Sequence, residues 1–151
     1  MARFRYRMQS ILDITNKMEE QARMDYAAAR MRLTEEEEKR DRLYDRKHFY
    51  EEESRGNLQG TLKVRKIIES KEAILRMDEF IVDQEVEVQK AEERLEKRRI
   101  RLTELRIERK THEKLREKAF EAFKAEENVK EGKEIDELTS YTYGQKQKQG
   151  G

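Results

Sequence analysis

The chain has 151 residues, 46% of them charged and only 34% hydrophobic, with no proline, cysteine or tryptophan. A globular domain of this length carries roughly 45–50% apolar and roughly 25% charged residues, so a thick core is excluded and the apolar side chains must lie along one narrow seam. The 35 basic and 34 acidic residues leave a formal charge of +1. That gives no summed field to draw the molecule onto nucleic acid or an acidic membrane, and near-neutrality without proline also sets the chain apart from disordered sequences. The absence of cysteine excludes a disulfide framework or a thiolate metal site. Arg3, Arg5 and Arg7 are not followed by an apolar stretch of signal-peptide or bilayer-spanning length, and the reading is of a cytoplasmic protein.

In chain order, residues 2–53 predict a first helix, rich in the straight-chain residues that lose least entropy in a helix. Its apolar spacing of threes and fours runs through Phe4, Met8, Ile11, Thr15, Met18 and Ala22, then Tyr26, Ala29 and Leu33, and thins to Leu43 and Tyr50. Glu35, Glu36, Glu37 and Glu38 face every direction of one turn, so at least one glutamate must sit at the seam, a predicted weak spot. Residues 54–70 form a turn and connector, with Gly56 and Gly60 bracketing the reversal. Within it residues 62–69 could form a short helix of their own, because Ser70 is a plausible N-cap for the next.

Residues 71–138 predict the second helix. Ile74, Met77, Ile81, Gln84, Val88, Ala91, Leu95, Arg98, Leu102, Leu105, Arg109 and His112 keep a heptad spacing. The seam is expected to slip by one residue near Leu115 and to continue through Ala119 and Ala122. Residues 139–151 read as a disordered tail. The predicted fold is therefore all-α, a two-helix antiparallel coiled-coil hairpin forming one domain over residues 1–138. At about 1.5 Å per residue its helices span roughly 75 Å and roughly 100 Å. Folding near Gly60 puts Phe4 opposite Leu115 and Ala119, and leaves Phe120 and Phe123 without an intramolecular partner.

No catalytic, cofactor-binding or metal-binding constellation is present. The two histidines, His48 and His112, lie far apart without supporting carboxylates, and no phosphate loop or nucleophile elbow occurs. His112 falls on the seam, where a histidine tolerated at a helix–helix joint is a simpler account than a pH switch. The basic run Lys97, Arg98, Arg99, Arg101, Arg106, Arg109 and Lys110 is interleaved with Glu96, Glu104 and Glu108, as a solvated face with ion pairs four residues apart would be. Tyr44, Phe49, Tyr50 and Phe80 near the turn serve either packing across the hairpin or anchoring of a partner.

Phe4-Arg5-Tyr6-Arg7-Met8-Gln9-Ser10-Ile11-Leu12 resembles the opening of the FliJ family of flagellar export proteins. Lys114-Leu115-Arg116-Glu117-Lys118 and Glu134-Ile135-Asp136-Glu137-Leu138 resemble that family's closing motifs. The resemblance implies a non-enzymatic coiled coil like the stalk of rotary ATPases. It would be monomeric on its own and would act at the cytoplasmic face of the inner membrane, touching the membrane only through the export apparatus. Its implied partners are the hexameric export ATPase, the cytoplasmic domain of the export gate and export chaperones. On the ATPase side it implies Phe4, Met8, Ile11, Leu12, Leu115, Phe120, Phe123, Asp136 and Glu137; on the gate and chaperone side, Leu43, Phe49, Tyr50, Met77 and Phe80. Arg46 and Ala73 depart from the family's larger apolar residues on the gate side. Two rival readings are a structural spacer that dimerises through its seam, and a nucleic-acid-binding coiled coil using the basic run.

Overall fold

The computed structural model describes residues 2–61 and 63–150. Met1, Leu62 and Gly151, which fall in the expected domain, connector and tail, lie outside the described residues. Two helices, α1 (Gln9–Asn57, 49 residues) and α2 (Val64–Gln149, 86 residues), make up nearly all of the chain, and no strand occurs among the described residues. The all-α expectation holds, with two long helices packed against each other.

The helix ends depart from the sequence reading for identifiable reasons. α1 begins at Gln9 rather than near residue 2: the Gln9 amide donates to the Tyr6 carbonyl at 3.1 Å, a turn that precedes the helix. Arg3, Arg5 and Arg7 would set three cations against the positive end of a helix dipole, and the first turn of α1 offers no acidic residue to offset them. At the other end α1 runs through Gly56 to Asn57. Three-residue bonds from the Leu58 amide to the Arg55 carbonyl and from the Gln59 amide to the Gly56 carbonyl, both 3.2 Å, tighten its exit. Gly60 alone among the described residues takes a positive φ, +85°, so it makes the reversal and Gly56 does not.

α2 starts at Val64, with the Ile67 amide donating to the Lys63 carbonyl at 3.1 Å. The expected short helix ahead of Ser70 is simply its first two turns, and Ser70 is buried in the helix rather than capping one. Nor is the tail irregular, since α2 continues to Gln149. There Thr142 Oγ1 donates to the Leu138 carbonyl at 2.8 Å, Gln145 Nε2 donates to the Tyr141 hydroxyl at 2.8 Å, and Lys146 and Lys148 complement the carbonyl end of the dipole.

The chain divides into two compact units. One is Glu19–Glu104, which contains the reversal. Here the two helices run antiparallel, as the cross-helix contacts show: Asp25 meets Arg98 at 4.0 Å, Glu36 meets Gln84 at 2.6 Å and Lys47 meets Asp78 at 2.6 Å. Ala22, Ala29, Met77, Ile81, Val88, Ala91 and Leu102 are buried between them, at the heptad positions read from the sequence.

Glu36 is the glutamate that enters this seam, only 3% exposed. Its site is satisfied, not weak. Gln84 Nε2 donates to its carboxylate at 2.6 Å and to its backbone carbonyl at 2.9 Å, while Arg32 and Lys39 reach the carboxylate at 3.0 and 3.5 Å. The Gln84 bond, opposed by burial and helped by the charges of Lys39 and Arg32, holds the carboxyl below its ordinary pKa.

The other unit joins the residues up to Met18 with those from Leu105 onward. Leu12, Thr15 and Leu105 are its buried seam residues, with Arg109, His112, Ala119 and Phe123 half-buried along α2. The expected seam through Met8, Ile11 and Met18 is therefore displaced: counting back along α1 in threes and fours from Ala29 and Ala22 reaches Thr15 and Leu12, which leaves those three side chains exposed. The expected slip on α2 is also absent. Steps of three and four from Leu105 lead through Arg109, His112, Arg116, Ala119 and Phe123, so Leu115 points outward.

Candidate functional surfaces

In the unit that joins the chain's two ends, the rings of Phe120 and Phe123 close on Phe4, with centroids 5.1 and 5.5 Å away. Arg116 finishes the cluster: its guanidinium carbon lies 5.9 Å from the Phe4 ring centroid and its Nε donates to Gln9 Oε1 at 2.9 Å. Phe120 and Phe123 thus have the intramolecular partner that the expected hairpin register denied them. The offset is small, but it converts free anchors into the clasp that holds the non-helical N-terminal residues on α2.

What this unit does leave outside is a set of aliphatic side chains. Ile11, Ile14 and Met18 follow one another along one side of α1 and are 41%, 56% and 42% exposed. Leu115 holds the equivalent flanking heptad position on α2, and in an antiparallel pair such positions adjoin each other. Of the ATPase-side set, Met8, Ile11, Leu115, Phe120, Asp136 and Glu137 are at the surface, Phe4 and Phe123 half-buried, and Leu12 buried. Leu12 therefore lies in the seam, and Ile14, which the sequence reading did not single out, is exposed beside Ile11; the backward count from Ala22 that exposes Ile11 exposes it too.

Of the residues expected on the gate side, Phe49 and Phe80 are exposed, Leu43 and Tyr50 are half-buried, and Met77 is buried at its heptad position. The Phe49 ring packs edge-on against Tyr50 at 5.8 Å. Tyr44 donates its hydroxyl to Glu85 at 3.3 Å with much of its ring in solvent. Leu75 and Val82 add exposed apolar area on α2 that the heptad reading passed over. Lys47 lies among these residues, and its bond to Asp78 raises its pKa. Both packing and exposure occur here, Tyr50 serving the first and Phe49 and Phe80 the second.

Among the described residues no group of His, Asp or Glu is placed to hold a metal ion, and no helix is long and apolar enough to cross a membrane. His112 Nδ1 is buried without a hydrogen-bond partner.

These features define a protein of two packed helices whose chemistry lies in exposed aliphatic and aromatic surfaces, a class built to contact other proteins. The chain belongs to the family described as Flagellar FliJ protein, which matches residues 4–148. It is similar to the Flagellar FliJ protein of Bacillus subtilis (strain 168), with 26% identity over 140 residues, 90% of this chain and 92% of that one. No solved structure matches the chain.

Proposed function

We propose that the chain is a non-enzymatic component of flagellar protein export: a stalk that docks in the hexameric export ATPase, couples it to the cytoplasmic domain of the export gate and escorts export chaperones. The observation that carries this reading is the family match over residues 4–148, on a chain that keeps Ile11, Ile14, Met18 and Leu115 outside its own seam. Aliphatic side chains held in solvent beside a buried threonine are accounted for by a second protein that covers them.

The mechanism follows from asymmetry. Two antiparallel helices present unlike faces around their common axis, so a ring of identical subunits enclosing them meets a different surface at each position. Subunit conformations are then biased by differential contacts alone. The exposed rings of Phe49 and Phe80 supply the gate- and chaperone-side anchors. The protein works at the cytoplasmic face of the inner membrane and is a monomer until it engages its partners.

The test is a titration of the full chain into the purified export ATPase, with ATP turnover and hexamer content as readouts. The wild-type chain raises both. Ile11→Asp with Leu115→Asp weakens the apparent affinity by at least about tenfold, the scale of a lost interface anchor, whereas Phe49→Ala with Phe80→Ala leaves the ATPase response intact and weakens binding of the gate domain. A helical wild-type chain that changes neither turnover nor assembly sinks the reading, and a stable dimer that ignores the ATPase favours the spacer.

A further inference from the structure

One cluster of charge in the Glu19–Glu104 unit is left over by everything above. Several cations of this unit pair with carboxylates within it: Arg23 with Glu19, Arg32 and Lys39 with Glu36, Lys47 with Asp78, Lys90 with Glu87, Arg99 with Glu96 and Arg101 with Glu104. Arg94 and Lys97 form no such pair among the described residues, and Arg98 has only Asp25 at 4.0 Å. Their surroundings on α2 make matters worse. Counting by four, Lys90, Arg94 and Arg98 stack directly above one another, as do Lys97 and Arg101. Like charges at this spacing repel and destabilise the helix that carries them.

The cations also surround a relief in the surface. Arg94, Arg98 and Arg32 line a hollow of about 340 Å³ whose α1 side is Ala28 and Ala29, with Asp25 as its one carboxylate. Arg94 and Arg98 are shared with an adjoining hollow lined by Lys90, Lys97 and Glu93. Small side chains on α1 thus leave room beside the repelling stack for another chain to approach.

We propose that this groove docks an acidic helix of a partner protein, one that carries carboxylates along a single face. Arg94, Lys97, Arg98 and Arg101 recur at intervals of three, four and seven residues, a rise of about 10 Å along α2. A helix with glutamates at the same intervals meets them in register, its carboxylates answering Arg94 and Lys97, while Arg98 and Arg101 already face Asp25 and Glu104 at 4.0 and 3.8 Å. A long polyanion fits less well. Glu92, Glu93 and Glu96 border the cluster, and the +1 charge of the whole chain gives no wider attraction.

The experiment measures binding of labelled 20-residue peptides to the full chain by fluorescence anisotropy. One peptide carries glutamates on a single helical face, a second has the same composition scrambled, and an oligothymidylate serves as nucleic acid. The single-face peptide binds most tightly, and Arg94→Glu with Lys97→Glu weakens it at least tenfold at unchanged helicity. A peptide with lysine in place of each glutamate binds that reversed variant and not the wild type. The proposal is overturned if the scrambled peptide or the oligothymidylate binds as well as the single-face peptide. It is equally overturned if no peptide binds, or if Lys118→Glu with Lys133→Glu, outside the groove, produces the same loss.

Discussion

The two units build the same antiparallel seam and then treat the positions beside it in opposite ways. In Glu19–Glu104 the side of α1 that carries Asp25, Ala28 and Arg32 is polar or small, and the matching side of α2 carries Arg94 and Lys97. In the unit of the two ends, the same heptad positions hold Ile11, Ile14 and Met18 on α1 and Leu115 on α2. Burial between the helices reveals none of this, since each seam mixes apolar with polar residues, Thr15 in one and Glu36 in the other. The difference lies in what the seam leaves outside. Aliphatic flanks suit a dry interface, charged flanks a hydrated one that is sensitive to salt.

The most direct way to break the comparison is to empty the seam of one unit. Leu105 is 2% exposed, and Leu105→Ala should cost about 2–4 kcal/mol through lost transfer and an unfilled space. Thermal unfolding by circular dichroism reads this. Ile107→Ala, a similar deletion on the exposed side of α2, should stay within about 0.5 kcal/mol. Equal losses at both positions would mean that the seam is not what holds the end unit together.

Phe4→Ala sharpens the picture with a smaller effect. It removes two ring contacts and the cation over the Phe4 face, together about 1–2 kcal/mol. The loss should be local. Amide exchange should accelerate ahead of Gln9 and around Phe120, with little change from Met77 to Leu102. Uniform acceleration along α2 would show that the two units open together.

A third prediction uses pH. Because the carboxyl of Glu36 is held below its ordinary pKa chiefly by the Gln84 amide, the unfolded chain binds its proton first as pH falls. The contribution is present above the unfolded carboxylate value of about 4.3 and is lost as pH drops through the lower folded value. Gln84→Leu removes that bond, and its destabilisation should shrink as the pH is lowered below about 4. A deficit relative to wild type that is the same at pH 7 and pH 3 would contradict the assignment.

Helix type, helix pairing and the α2 heptads from Met77 to Leu102 were legible because a strict spacing of apolar residues leaves one solution. The start of α1 was less so, since Ile11 and Met18 offer apolar seam positions one residue ahead of the buried Leu12 and Glu19, although Thr15 is shared by both. Hydrophobicity chooses the first, whereas the helix, continuous with Ala22 and Ala29, enforces the second. The slip anticipated at Leu115 had the same origin, a leucine preferred over Arg116 for an inward place. Of the candidate surface residues, Ile11, Leu115, Phe49 and Phe80 are exposed and Leu12 and Met77 are buried, Met77 at the seam position its spacing gave, while the exposed Ile14 was not among the candidates. An apolar residue is a core candidate and an interface candidate alike until the phase is known.

The smallest effect belongs to the last turns of α2. From residue 131 to residue 149 nearly every side chain is exposed, Ile135, Leu138, Tyr141 and Tyr143 among them. Bonds within the helix are therefore its main support, and a helix of this length without tertiary packing is marginal in water. Gly132 and Gly144 weaken it further, each by about 1 kcal/mol relative to alanine, and a Cβ at either position meets nothing within 4 Å. Gly132→Ala with Gly144→Ala should therefore deepen the helical circular dichroism signal at 222 nm without moving the main melting transition, and amides in this stretch should exchange far faster than those from Met77 to Leu105 until the alanines slow them. A shift of the main transition would instead mean that the stretch is coupled to the packed part of its unit, a contact that its exposed side chains do not make.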